Sequence, residues 1–425
     1  MRDLASRLRS IVRQDHSGRA PVARELTYVP DAVSLSADPA QAAEALGGTL
    51  LDPHGGCVVI DRVWAADDWH GRRTVGSFRT RASAALALFD PRAGSVPGWA
   101  DHVVFFDVET TGLSGGAGTL AFLAGCGWFE GDSFRVRQFF LGSPAGERAM
   151  LDALGSIFDE ASLLVTFNGR TFDVPLMETR WAFHRTDAGS DAVPHFDMLP
   201  TSRRLWGQRE DAPGAGCSLS SLEQSLLGFH RVADVPGFEI PARYFHFLRT
   251  GDGAAVAGVI EHNRHDLLSL AGVMAHALSV AEDGPDACRE ACEQLGLGRL
   301  YERTGQGERA LRAYELAAAA GERDVRLQAL ARYALLLNRA GRHTEAAETW
   351  QRALDHARRY GAAPALERRA VEALAIHHEH RARDLHEAHR YAERLNRQAS
   401  GQARQGAAHR LGRIQRKLEE KGKLL

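Results

Sequence analysis

The sequence predicts an α/β domain built on a mixed sheet, followed by an all-α array of helical repeats. Three observations carry this. Between residues 102 and 167 the β-forming runs come in the order strand, strand, strand, helix, strand. The second and third runs are separated only by Glu130–Gly131–Asp132, a good hairpin turn. From about residue 285 the texture becomes helical and repeats at an offset of 36 residues.

The elements follow in order. GGCVVIDRVW (55–64) reads as a strand and RASAALALF (81–89) as a helix, in a segment to which no chemistry attaches. HVVFFDVE (102–109) is an apolar run that ends in charge. TLAFLAGCGWF (119–129) and SFRVRQFFLG (133–142) complete a meander. The helical stretch GERAMLDALGSIF (146–158) leads into LLVTF (163–167), and this order gives a mixed sheet. HNRHDLLSLAGVMAHAL (262–278) reads as an amphipathic helix with Asp266 in its first turns. In the last segment Gly305 aligns with Gly341, Ala310 with Ala346 and Tyr314 with Trp350, and a weaker third unit places Ala388 at the alanine position. Glycine at a turn, alanine at a helix crossing and an aromatic after it form the tetratricopeptide pattern, against a plain helical bundle as the alternative. The expected domains are therefore 1–95, of unknown role, 96–282 and 283–425.

Composition narrows the function. The chain has 425 residues, 44% hydrophobic and 25% charged, with a formal net charge of -2. No global field draws it to polyanions, so any contact with nucleic acid must be local. Lysine occurs only at 417, 421 and 423, in a basic stretch that suits either a phosphate backbone or a charged last helix. The five cysteines are scattered, which argues against a disulfide framework and for a cytoplasmic protein. Cys288 and Cys292 lie a helical turn apart without a second Cys/His pair, and read as small helix residues rather than zinc ligands. No apolar run reaches membrane-spanning length, and the N-terminus reads as a short amphipathic helix with Leu4, Leu8, Ile11 and Val12 on one side.

The chemistry is concentrated in carboxylates. Asp107 and Glu109 are two apart at a strand end, so both point to one face and offer hard oxygen donors. A glycine-rich turn, TTGLSGGAGT (110–119), follows and lets backbone approach a phosphate closely. Asn168 and Asp173 follow the fourth strand, where Asp173 could equally cap a helix. His262 and Asp266 share a helix face at i and i+4, with His265 rotated away. Asp197 could orient a metal ligand, but a cap or a pair with Arg203 or Arg204 is favoured; Trp206 reads as core and Glu223 as the solvated side of a helix.

FDVETTGL, NGRTFD and HxxxD together resemble the three exonuclease motifs of the DEDD superfamily. Extended to FFDVETTGLSGGAGT, FNGRTFDVP, FDMLPTSRRLW, SLSSLEQSLLGFHR and HNRHDLLSL, the pattern is similar to the YprB-like ribonuclease-H-like family, often joined to tetratricopeptide repeats. The resemblance covers about residues 100–280 and the C-terminal repeats. It implies a ribonuclease-H-like fold with Asp107, Glu109, Asp173 and Asp266 as ligands of two Mg²⁺ or Mn²⁺ ions. It implies hydrolysis of phosphodiester bonds in DNA or RNA, as a 3′–5′ exonuclease. A structure-selective endonuclease and a non-catalytic nucleic-acid-binding scaffold are the alternatives. The superfamily has Tyr four before the last Asp, or His five before it; here His262 stands at the first position and Glu261 at the second. His262 is the candidate base, ahead of His265. Thr110, Gly112 and Leu113 of the glycine-rich turn, with Asn168, are the candidate substrate contacts. A protein partner is expected on the repeats.

Overall fold

In the computed structural model, which describes residues 37–52, 56–80, 83–112, 118–186, 193–207, 217–360 and 364–422, the apolar run ending in Asp107 and Glu109 is an interior strand of a seven-stranded sheet. Leu4, Leu8, Ile11, Val12 and Leu113 lie outside the described residues. The chain enters through α1 (Pro39–Leu46), started by Asp38, whose side chain accepts from the Ala40 amide, and stopped by Gly47 at φ +65°. Then come β1 (Thr49–Leu50), β2 (Cys57–Trp64), the two-stranded pair β3 (Trp69–His70) and β4 (Arg73–Thr74), and the short helices α2 (Ala85–Phe89) and α3 (Pro91–Gly94). Next are β5 (Val103–Thr110), β6 (Ala121–Glu130), β7 (Ser133–Leu141), α4 (Glu147–Glu160), β8 (Leu163–Thr166), α5 (Asp173–His184), β9 (His195–Asp197) and α6 (Met198–Trp206). A short α7 (Leu219–Leu222) runs into a π-helical turn at Glu223–Leu227, and α8 (Ile240–Thr250) and α9 (Ala254–Asp283) complete this part.

The sheet order is β1-β2-β7-β6-β5-β8-β9. β5, β8 and β9 are parallel and the remaining pairs antiparallel, so the sheet is mixed as expected. β2, from the segment without assigned chemistry, pairs with β7 along its whole length, from Cys57 opposite Leu141 to Trp64 opposite Phe134. Alternation along β5 separates two cores. Val104, Phe106 and Val108 pack with α4, α5 and α8 on one side; Phe105 packs with α6 and α9 on the other. Asp107 and Glu109 share the parity of Phe105 and therefore face α9.

Two details depart from the sequence reading. The helix that carries Asp266 starts at Ala254, so Asp266 lies in its middle rather than its first turns. Most of that helix is enclosed, which blurs the amphipathic signal used to find its start. Glu223 is not on a solvated face: it is fully buried, because the chain beyond it folds back and brings Arg231 onto its carboxylate. Trp206 is core, and Asp197 caps α6, accepting from the Leu199 amide.

Seven helices follow: α10 (Ala291–Arg303), α11 (Gly307–Ala320), α12 (Arg323–Arg339), α13 (His343–Tyr360), α14 (Pro364–His380), α15 (Leu385–Gln398) and α16 (Gln402–Gly422), each packed on the next. Gly305 and Gly341 occupy equivalent inter-helix turns at φ +78° and +79°, a conformation glycine adopts without strain. Ala310, Ala346 and Ala388 are buried, as are Tyr314 and Trp350. A Cβ on Gly298 would meet the Tyr314 ring at 2.5 Å, so the bare glycine admits the aromatic. The basic stretch lies in α16, where Arg413 and Lys417 pair with Glu379 of α14, buried in spite of its charge. One apolar core runs unbroken from the sheet through Trp206, Leu295 and Tyr314 to Trp350 and Leu395. Among the described residues no helix is long and apolar enough to cross a membrane.

Candidate metal centre

β5 delivers Asp107 and Glu109 to its C-terminal end, where a register shift between Glu109 and Thr110 interrupts its pairing with β6. β8 is parallel to it, so the loop after β8 arrives at the same edge and presents Asp173 as the first residue of α5. α9 crosses this edge and supplies His262 and Asp266 one turn apart. The five side chains, with Thr110 and Gly112, line one cavity of about 600 Å³. That is room for a nucleotide-sized group.

The approach of α9 to the sheet depends on Gly125, opposite Asp107 on β6. A Cβ there would lie 2.2 Å from Asn263 Oδ1. With only hydrogen in that place, Asn263 sits fully buried, and its Nδ2 donates to Asp107 Oδ2 at 2.8 Å. Asn263 Oδ1 accepts from Gln138 Nε2 at 2.8 Å, and Gln138 also donates to the Ile260 carbonyl. This network fixes both the amide and the Asp107 carboxylate.

His262 faces two ways. Its Nε2 lies 3.3 Å from Asp266 Oδ2 and 3.9 Å from Glu109 Oε1, while Nδ1 lies 2.7 Å from Asp234 Oδ1. Glu109, His262 and Asp266 can each place one donor atom within 4.8 Å of the others. Arg231 closes the far side of Asp266: Nη2 is 2.5 Å from Asp266 Oδ1, Nε and Nη2 form a bidentate pair with Glu223 at 2.7 and 2.9 Å, and Nη1 lies 3.4 Å from Asp234 Oδ2 and 3.2 Å from His262 Nδ1. Glu223 also accepts from Ser269 Oγ at 2.7 Å, and that oxygen lies 2.8 Å from His70 Nε2. Burial, then the charges of His265 and Arg231, push His70 down to about 3, so its ring is neutral and donates. His70 stacks on Phe229, and the Arg72 amide donates to Leu227. The β3–β4 pair thus braces the turn that holds Arg231.

The carboxylates repel one another. Burial, then Asp266, Glu109 and Asp173, hold Asp107 well above the usual carboxylate range, against the hydrogen bond from Asn263. Burial, Asp266 and Asp173 raise Glu109 in the same way. Burial foremost, with Asp197 and Asp266, pushes Asp173 up to about 7. Among the described residues Arg231 is the guanidinium bonded to this group, through Asp266, and it also serves Glu223. Crowded, partly enclosed carboxylate oxygens fit a hard divalent cation of the Mg²⁺ or Mn²⁺ kind.

The remaining candidates are placed elsewhere. Asn168 adopts φ +70°, donates its amide to Asp197 Oδ1 at 2.8 Å and accepts from Thr171 Oγ1, so it shapes the loop that carries Asp173 and does not line the cavity. His265 pairs with Glu261 at 3.2 Å and packs on Phe229, turned from the carboxylates. Arg231, Asp234 and Asn263 escaped the sequence reading, although Arg231 and Asn263 lie inside the motifs. Phe172, 56% exposed beside Asp173, also lines the cavity.

A family model described as the RNase_H superfamily matches residues 104–278, the stretch that holds all four carboxylates and His262. The chain is also 32% identical over 304 residues to a Bacillus subtilis (strain 168) protein named "uncharacterized protein YprB". That similarity covers 69% of this chain and 68% of the relative. The chain belongs to the ribonuclease H superfamily. Its ribonuclease H domain is the mixed sheet with its helices, and the cavity at the end of β5 is its candidate centre. Membership of this superfamily points to nuclease-type activity on nucleic acid. The similarity to YprB extends beyond the matched domain, since 304 residues exceed its length.

Proposed function

We propose that this ribonuclease H domain hydrolyses phosphodiester bonds of DNA or RNA with two divalent cations, Mg²⁺ or Mn²⁺, and acts as a 3′–5′ exonuclease. The observation that carries this reading is the convergence of Asp107, Glu109, Asp173 and Asp266 with His262 on one nucleotide-sized cavity. Asp107, oriented by Asn263, would hold the ions together with Glu109, Asp173 and Asp266. The ions would lower the pKa of the attacking water and stabilise the leaving 3′-oxygen.

The protein's own groups account for the rest. With its Nδ1 proton directed at Asp234 Oδ1, 2.7 Å away, His262 would present the Nε2 lone pair to the cavity. His262 there takes a proton from the attacking water as general base. Arg231 holds Asp266 in one rotamer while leaving Oδ2 toward the cavity. Thr110 Oγ1 donates to the Gly112 carbonyl at 2.9 Å, fixing the start of the glycine-rich turn against which a phosphate would sit. The exposed Phe172 ring is placed to stack on a terminal base. The helical array is a tetratricopeptide-like platform for a protein partner, and the protein works in the cytoplasm.

Strands labelled at one end decide polarity. With Mn²⁺, a 5′-labelled strand should yield a ladder shortening from the 3′ end, and a circular substrate should survive. Cleavage of the circle would replace the exonuclease by an endonuclease on the same carboxylates.

A further inference from the structure

We infer that an arginine-lined cavity between α6, α10 and α12 grips the sugar-phosphate backbone of a nucleic-acid strand away from the carboxylates. This rests on the nuclease reading above. The cavity measures about 570 Å³ and is lined by Arg203 and Arg204 of α6, Arg299 and Arg303 of α10, and Arg332 and Arg339 of α12. One carboxylate, Glu302, shares it and is already engaged by Arg339 at 2.7 Å, by Arg332 at 3.7 Å and by the Tyr314 hydroxyl.

The other arginines have weak or neutral partners. Arg303 and Arg204 reach the carbonyls of Leu88 and Phe89. Arg299 donates to Gln328, and its Nε is buried with no hydrogen-bond partner. Arg203 makes no ion pair with the described residues. Burial and the charge of Arg332 lower Arg299, and burial and Arg303 lower Arg204. Like charges drawn together in a concave site are the electrostatic image of the carboxylate cluster, and the complement they lack is anionic.

The spacing selects a chain of phosphates over a single one. Arg299 and Arg303 are one turn apart, about 6 Å, and Arg332 and Arg339 two turns apart, about 10 Å, at the rise of an α-helix. One phosphate can occupy one or two guanidinium forks, whereas this row presents them along a strand. The location also fits. α6 begins at Asp197, which fixes the amides of Asn168 and Arg170 in the loop leading to Asp173, and ends at the arginines. The arginines lie about 10 Å along α6 from Asp197. The contact is local, as the net charge of -2 requires of any site for a polyanion.

The test is binding of a fluorescein-labelled single-stranded oligonucleotide to the full chain in EDTA, followed by anisotropy across a salt series. Arg203 and Arg303 are exposed, so R203Q/R303Q should fold, and its melting curve checks this. Affinity should fall about tenfold or more, and the log–log salt slope by about 0.7 for each arginine removed. The matched pair R62Q/R148Q, neither of which lines this cavity, should bind as wild type. Should the double variant melt early, R339E, 64% exposed, provides the same reading. Wild-type affinity in the arginine variants, or no oligonucleotide binding by the wild type, overturns the inference. A parallel Mn²⁺ cleavage assay separates the two claims. Arginine-dependent binding without cleavage keeps the grip and removes the nuclease; cleavage with arginine-independent binding does the reverse.

Discussion

Asp107, Glu109 and Asp173 bind their protons more tightly in the folded chain than in the unfolded one, because burial and mutual repulsion disfavour their charged forms. A raised folded-state pKa gives stability that is full below the unfolded value, about 4, and is lost as pH rises through the folded value. For Asp173 that window closes near pH 7. In EDTA the melting temperature should therefore fall between pH 5 and pH 8, and D173N should fall less steeply; equal slopes would contradict the assignment. A second expectation concerns His262. H262A should lower kcat by about 10²–10⁴-fold, the range of general base catalysis, and D234N by about 10–100-fold, the range of a residue that orients it. D234N should also shift the acidic limb of the pH–rate profile, which a merely structural residue leaves in place. That Asp107 and Glu109 share one face, and His262 and Asp266 another, was legible because their spacing is rigid: i, i+2 on a strand and i, i+4 on a helix. Asn263 was not, since its role exists only where Gly125 lets α9 press against β6.

At the scale of elements, the turn from Glu223 to Arg231 acts as a clamp. It anchors Arg231 by a fully buried carboxylate and aims the guanidinium at Asp266. E223A removes one half of a buried pair and should cost about 3 kcal/mol or more in urea unfolding, with a loss of cleavage beyond the loss of folded protein. Unchanged stability would mean that Arg231 is held by Asp266, Asp234 and His262 without Glu223. Sequence patterning missed this clamp for a physical reason. SLSSLEQSLL carries helical periodicity, yet the run becomes a π turn, and the contact that buries Glu223 comes from residues beyond Gly228. The strand meander was plain, because alternation and a Glu–Gly–Asp turn are local signals. The length of α9 was not, because a helix enclosed on most sides shows no polar face from which to read its start.

At the scale of the whole molecule, the sheet and the helical array share one core. Trp206 Nε1 and His276 Nε2 both meet Glu293 Oε1 at 2.9 Å, and the Gly296 backbone packs so closely on α6 that a Cβ would reach the Leu205 carbonyl at 2.7 Å. A chain cut after residue 283 would expose Trp206 and Leu205 of α6 and the enclosed side of α9. Calorimetry of the full chain should accordingly show one cooperative transition, and the truncated chain should lose solubility; two separated transitions would show the array folding by itself. The 36-residue offset was visible in sequence because glycine, alanine and aromatic positions recur, but its junction with the sheet depends on non-recurrent residues such as Glu293. The central claim is that four carboxylates form a cation-dependent nuclease centre. Its most direct measurement is the rate of cleavage of a labelled strand against Mn²⁺ concentration, for wild type and D107N. The rate should rise with Mn²⁺ and saturate for wild type and vanish for D107N, which still binds the strand; cleavage in EDTA, no cleavage by wild type with either Mn²⁺ or Mg²⁺, or an equal rate for D107N would contradict it.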